Sequence, residues 1–371
     1  MKFIKQFVPL LILLFGAPSV FAQDYYVYVA AESEDEVHLV HFNAENQKAE
    51  ISETISVGRF PTEIDGPHGI AISPDGKYWF VSLAHGNPYG ILAKYDTETN
   101  TLQGTVELGM FPASMDISPL TGLLYIVNFD LHGEMVPSTV SVVETESMTN
   151  VTDIPTGIMP HGSRVNSTGK YMYHVSMMTD ELIEISTQNL EVTRRLKLSK
   201  EGSSAMNASM SGHEGMDHGN HLMKHNPVEK PTWAHPHPQK PLVYVAANGS
   251  DEILEIDTEA WKVTRRFDTA KAPYNLDVSP DGKLLVVSYK GAGATGIWDL
   301  KTGKELAKIN NSRKVTHGVA ISDDSKYAFI SVEGVGGEPG SVEVLNLESL
   351  ETVDVVETGK QAGGIYFWKQ K

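Results

Sequence analysis

Seven restarts of one short pattern, four strand-like runs in each unit, and two chain ends that complete each other predict an all-β chain, a seven-bladed β-propeller of four-stranded blades. The restarts fall at Pro67, Pro112, Pro160, Pro231, Pro273, Thr316 and Ala362, at intervals of 45, 48, 71, 42, 43 and 46 residues. Three lines show the repeat most plainly: PHGIAISPDGKYWFVS from Pro67, PYNLDVSPDGKLLVVS from Pro273 and THGVAISDDSKYAFIS from Thr316. Each holds two apolar runs around a polar turn. A third alternating run follows, such as Gly90 to Tyr95, then a turn such as Asp96 to Asn100 and a fourth run such as Thr101 to Leu108.

The chain ends supply the last blade. Ala362 is followed by a single run, Gly363 to Trp368, whereas YYVYVAAESEDEVHLVHF from Tyr25 enters in mid-repeat and matches the second and third runs of LVYVAANGSDEILEID from Leu242. One C-terminal strand joined to three N-terminal strands makes a composite blade. That arrangement closes the ring and removes the open sheet edges that invite aggregation.

Residues 1–22 read as a secretory signal: Lys2 and Lys5, an apolar run from Phe7 to Phe15 too short to span a bilayer, and a cleavage expected after Ala22. The product is expected to be periplasmic or secreted, a single propeller domain over 23–371 with no membrane span. With 30 Lys+Arg against 47 Asp+Glu, a net charge of -17 argues against nucleic acid as a partner. The chain has no Cys, which excludes disulfides, thiolate catalysis, iron–sulfur clusters and thiolate-ligated copper. Any chemistry falls to His, Met, carboxylates and hydroxyls.

The repeat lines resemble the YVTN-type β-propeller class, which includes the propeller domain of nitrous-oxide reductase. Ser73 to Lys77, Ser279 to Lys283 and Tyr244 to Asn248 carry the resemblance, which spans essentially the whole mature chain. It implies the fold and leaves function to what differs between blades. Nitrous-oxide reduction does not follow, because that enzyme resembles this chain only in placing histidines around a propeller axis and adds a copper domain with Cys ligands.

What differs is methionine and histidine. Strands in a blade run alternately up and down, so the face where each inner strand begins collects the loops from strand 2 to 3 and the crossovers between blades. On that upper face fall Met110, Met135, Met159, Met177, Met178, Met206, Met210, Met216 and Met223, together with His68, His85, His132, His161, His213, His218, His221, His225 and His317. Loop methionines have no evident core to fill, and soft thioethers beside imidazoles suit copper, Cu(I) above all, with zinc the alternative.

Two features sharpen the expectation. The 71-residue interval contains an insertion at about 200–230 whose segment AMNASMSGHEGMDHGNHLMKHN carries four Met and four His, similar to the Met/His-rich segments of copper-handling proteins. Met210, His213, Met216, His218, His221, Met223 and His225 are its candidate ligands, and a polar linker is the plain alternative. The second feature is a His-Gly pair at one repeat position in three blades, His68-Gly69, His161-Gly162 and His317-Gly318, where the other blades carry Ala113, Thr232, Tyr274 and Gly363. Three imidazoles beside the axis would leave a metal one open position; the plain alternative is a wet channel lined by repeated residues.

Two histidines elsewhere, His235 and His237, read as structural, and the acidic run Glu32 to Glu36 as a solvated rim. The expected function is an exported copper-binding propeller in which the insertion captures metal and hands it to His68, His161 and His317, with a periplasmic protein as a possible partner. Ordinary imidazoles titrate near 6.5, so the trio's affinity is expected to fall below that pH. Two other classes stay open: a propeller enzyme of lactonase, hydrolase or metal-dependent type, and a metal-free interaction scaffold.

Overall fold

A computed structural model describes residues 23–59, 62–86, 89–131, 133–200 and 227–371. The leader 1–22, His132 and every ligand candidate of the insertion (Met210, His213, Met216, His218, His221, Met223 and His225) lie outside the described residues. The chain forms seven four-stranded antiparallel sheets set in a ring. The inner strands are Pro67–Ile72, Pro112–Ile117, Pro160–Val165, Pro231–Pro236, Pro273–Val278, Val315–Ile321 and Ala362–Gln370, within one residue of the restarts read from the sequence. In the seventh blade Ala362–Gln370 lies beside Asp24–Ala31, with Glu36–Asn43 and Lys48–Ser56 outside it. The composite blade closes the ring as the sequence implied.

Burial follows strand position. Second strands such as Tyr78–Leu83 and Leu242–Ala247 are apolar almost throughout, because both faces of a blade pack on neighbouring blades. Outer strands such as Glu191–Lys197 alternate instead, one face toward a neighbour and one toward water. The core therefore consists of apolar wedges between successive sheets. Between the composite blade and the first, Trp79 stacks on Tyr95 at 4.4 Å and on Tyr28 at 4.9 Å.

The Ser-Pro-Asp-Gly-Lys turn has a definite hydrogen-bond logic. Ser73 Oγ donates to Asp75 Oδ1 at 2.7 Å and accepts from the Tyr78 amide at 2.9 Å, while the same Asp75 oxygen accepts from the Lys77 amide. Gly76 completes the turn at φ 71°, a conformation that disfavours side chains. Ser279, Asp281 and Gly282 repeat the arrangement.

One irregularity positions everything on the axis. Each inner strand shifts register against its second strand near its start, between Pro67 and Ile70 in the first blade and at the equivalent place in the other six, and Ala362–Gln370 shifts a second time farther along. The extra residue of such a bulge changes which face later side chains occupy. Consequently the residue after each restart and the residue four after it both serve the axis, as an upper ring (His68, Ala113, His161, Thr232, Tyr274, His317, Gly363) and a lower ring (Ala71, Asp116, Arg164, His235, Asp277, Ala320, Tyr366).

The residue between them, two after the restart, meets the next blade. A Cβ on Gly69 would lie 1.9 Å from the Ala113 carbonyl oxygen, and one on Gly364 would lie 1.8 Å from the His68 carbonyl oxygen. The Gly of the His-Gly pair is thus explained by close approach of blades, independently of any metal.

Candidate functional site

In the upper ring, His68 and His317 face each other with ring centres 5.8 Å apart and planes at 89°. Tyr274 stands between His317 and His161, at 4.7 Å from the first ring and 5.2 Å from the second. Its hydroxyl donates to His161 Nε2 at 2.9 Å. The fold therefore brings His68 and His317 together and sets His161 one phenol away. Among the described residues no three or more His, Asp or Glu stand ready to hold a metal ion.

The nitrogens are nonetheless sorted. His68 Nδ1 lies 2.8 Å from Glu32 Oε2, and His161 Nδ1 donates to the Thr232 carbonyl at 2.7 Å. His317 Nε2 lies 3.6 Å from Glu333 Oε1, and its buried Nδ1 has no hydrogen-bond partner among the described residues. An imidazole whose Nδ1 is held by a carboxylate or carbonyl presents Nε2 in a fixed direction, which is how metal-ligating histidines are commonly oriented.

Glu32 is the organising acid. It is only 3% exposed, so the acidic run does not begin as a solvated rim; its two oxygens take His68 Nδ1 and His85 Nε2, each at 2.8 Å. Burial pushes the Glu32 carboxyl up, but His68 and His85 outweigh it and hold it down at about 2. His85 is raised, chiefly by its hydrogen bond to Glu32. A second charged pair flanks Tyr274: Lys290 Nζ lies 3.2 Å from Glu333 Oε1 and 4.2 Å from the Tyr274 ring centre. Burial opposes the Lys290 ammonium, and Tyr274 and Glu333 more than compensate, so its pKa is raised.

The pH expectation for the trio changes. Burial, aided by nearby positive groups, lowers His161 to about 3 and places His317 well below 6.5. Both are neutral at mildly acid pH, so proton competition at these two nitrogens begins well below the ordinary imidazole value. His174, fully buried in a second strand, is likewise lowered to about 3 by burial. Histidines with depressed folded-state values favour the native state above 6.5. As pH falls from about 6.5 toward 3, the unfolded chain binds protons that the native state refuses, and stability drops by up to about 1.4 kcal/mol per pH unit for each such group. Urea unfolding at pH 7 and pH 5 is expected to show this loss, and His174→Asn is expected to shallow the dependence by about one proton; an unchanged slope would contradict neutral burial of His174.

Methionine reads differently in the structure. Met110, Met159 and Met177 pack against a small apolar cluster of Ala84, Phe111, Ala113 and Phe129, so these three loop methionines do have a core to fill. Their gap-filling role removes them as independent evidence for copper. Met135 is partly exposed, at 39%.

His235 lies on the axis, in the lower ring, and is satisfied there as a structural histidine, with Nε2 2.9 Å from Asp277 Oδ1 and Nδ1 2.9 Å from the Pro236 carbonyl oxygen. His237 is structural: Nδ1 accepts from the Gln239 and Lys240 amides, and Nε2 donates to the Gly282 carbonyl. Sequence reasoning missed Tyr274, Lys290, Glu333 and the role of Glu32. For Tyr274 the signal existed, since it occupies the same repeat position as the three histidines; for the others, only the folded ring brings them there.

No family model matches the chain, and no curated protein matches it. Among solved structures the chain is similar to hydrazine synthase of Kuenenia stuttgartiensis, with 15% identity, a TM-score of 0.58 and coverage of 89% of this chain and 94% of that one. At that identity the likeness concerns the fold. Among the described residues no helix is long and apolar enough to cross a membrane.

Proposed function

We propose that this is an exported propeller that captures or delivers copper, with the upper mouth of its axis as the protein-held site. The carrying observation is the perpendicular pair His68 and His317. Two imidazoles sharing one tetrahedral ion at about 2.0–2.1 Å have ring centres about 5 Å apart, close to the separation of this pair. His161 supplies the third nitrogen once the Tyr274 ring swings aside, or Tyr274 itself takes that place. Neutral buried imidazoles favour this reading, because a metal binds only the unprotonated ring.

The segment holding Met210, His213, Met216, His218, His221, Met223 and His225 supports copper over zinc by composition, since thioethers prefer the softer ion. The signal-like segment 1–22 agrees with export. The reading is tested by competitive titration of the mature chain with Cu(I), Cu(II) and Zn(II), beside a variant lacking residues 205 to 225. Retained copper binding in the deletion supports the axial site, and binding lost with the deletion confines the chemistry to the insertion.

Glu32→Gln offers a finer check. It keeps the shape of the side chain but removes the charge that orients His68, and it is expected to weaken copper binding by the deletion variant about 10–100-fold. Unaltered affinity would separate Glu32 and His68 from the site. A second reading, acid–base catalysis without metal, is favoured by the Tyr274 to His161 hydrogen bond. It becomes the better one if no metal is bound above the level of a control propeller.

A further inference from the structure

The lower ring opens into a separate cavity of about 210 Å³ at the other end of the axis, lined among others by Asp116, Arg164, His235, Asp277, Asp323 and Tyr366. Part of this ring is structural. Asp116 Oδ2 accepts the Val165 amide at 2.8 Å and Asp277 Oδ2 accepts the Ile321 amide at 3.0 Å, so each carboxylate ties its own blade to the next. His235 is spent on Asp277 and on the Pro236 carbonyl.

Three groups are left without such an account. Among the described residues the Arg164 side chain makes one hydrogen bond, from Nη1 to the carbonyl of adjacent Ser163, and lies over the Trp233 ring at 5.0 Å. Among the described residues no carboxylate comes within ion-pair distance of it, although a guanidinium carries five donors suited to a planar anion. Asp323 stands exposed at the rim with no ion pair or hydrogen bond among the described residues. The Tyr366 hydroxyl makes no hydrogen bond there either, and it lines the same cavity as Asp116, Arg164, Asp277 and Asp323.

Arg164 also borders a smaller cavity of about 30 Å³ farther up the axis, where the buried Trp233 Nε1 and Asn275 Oδ1 lack hydrogen-bond partners among the described residues. The axis is thus polar and unsatisfied inward of the arginine. Charge decides what fits. A simple anion would meet three carboxylates, and a simple cation would leave the guanidinium unpaired. We infer that the lower mouth binds a small zwitterion, its carboxylate on Arg164 and its ammonium toward Asp323 and Tyr366. The cavity lies below the roughly 300–1,000 Å³ of drug-sized pockets, which suits a molecule of that class.

Isothermal titration of the mature full-length chain in the presence of a chelator tests this without involving copper. The probes are glycine, β-alanine and γ-aminobutyrate, with butyrate and butylamine as partners of single charge. At least one ω-amino acid is expected to bind saturably, with butyrate and butylamine at least about tenfold weaker, the worth of one hydrogen-bonded charge. Arg164→Gln and Asp323→Asn are each expected to lose about tenfold; the exposed rim position keeps the second variant informative if the first is unstable. Failure of all three amino acids, equal binding of a singly charged partner, or full affinity in Asp323→Asn would overturn the assignment.

Discussion

Replacing Gly364 or Gly69 by alanine is expected to destabilise the protein by about 3 kcal/mol or more, because these two glycines make the closest approaches to backbone among the described glycines. At each position the new Cβ would sit less than 2 Å from a backbone oxygen of the adjoining blade, 1.8 Å for Gly364 and 1.9 Å for Gly69. Neither oxygen can swing aside as a side chain would, because it belongs to an inner strand. Gly76→Ala is the control: its backbone is left-handed at φ 71° but nothing lies within 4 Å of the added Cβ, so about 1 kcal/mol is expected. Urea unfolding midpoints of the three variants measure the difference. Equal midpoints would mean that the inner strands can spread, and that close approach does not hold the axis together.

In the protein lacking residues 205 to 225, His68→Ala and His317→Ala are each expected to lower copper affinity more than about a hundredfold, beyond the 10–100-fold typical of an outer-shell change. Both remove a nitrogen from the facing pair, and neither has a substitute at the same place. His161→Ala and Tyr274→Phe separate the two candidates for the third ligand. If His161 is the ligand, its loss weakens binding while Tyr274→Phe, which uncaps Nε2, leaves affinity unchanged or higher. If Tyr274 is the ligand, the order reverses. Competition titrations of the four variants suffice, and indifference to His68 and His317 together would remove the axial site.

The fold was readable because its evidence is repeated. A strand pattern at Pro67 is weak alone, but the same pattern at Pro273 and Thr316 fixes both the strand type and its place in the blade. Register offered no such help. The bulge after each restart is a backbone event without its own residue signature, and it alone explains why His161 and Arg164, an odd number of residues apart, both line the axis. The upper trio was found because three histidines stood at one repeat position. Glu32 and Lys290 reach that site from second-strand ends, where loop geometry rather than the repeat decides direction. Met110, Met159 and Met177 read as free loop thioethers because the apolar cluster around Phe111 and Phe129 that they pack against is formed from crossovers that the repeat leaves undefined.

Ala31 pairs with Ala362 across almost the entire chain. Closing so long a loop adds little entropy per extra residue but must precede every contact that the closed ring rewards. Until both partners exist, Asp24–Ala31 has no inner neighbour and the blades on either side lack a wall. A chain still on the ribosome therefore carries bare strand edges for most of its synthesis, the state in which unpaired edges are most open to aggregation.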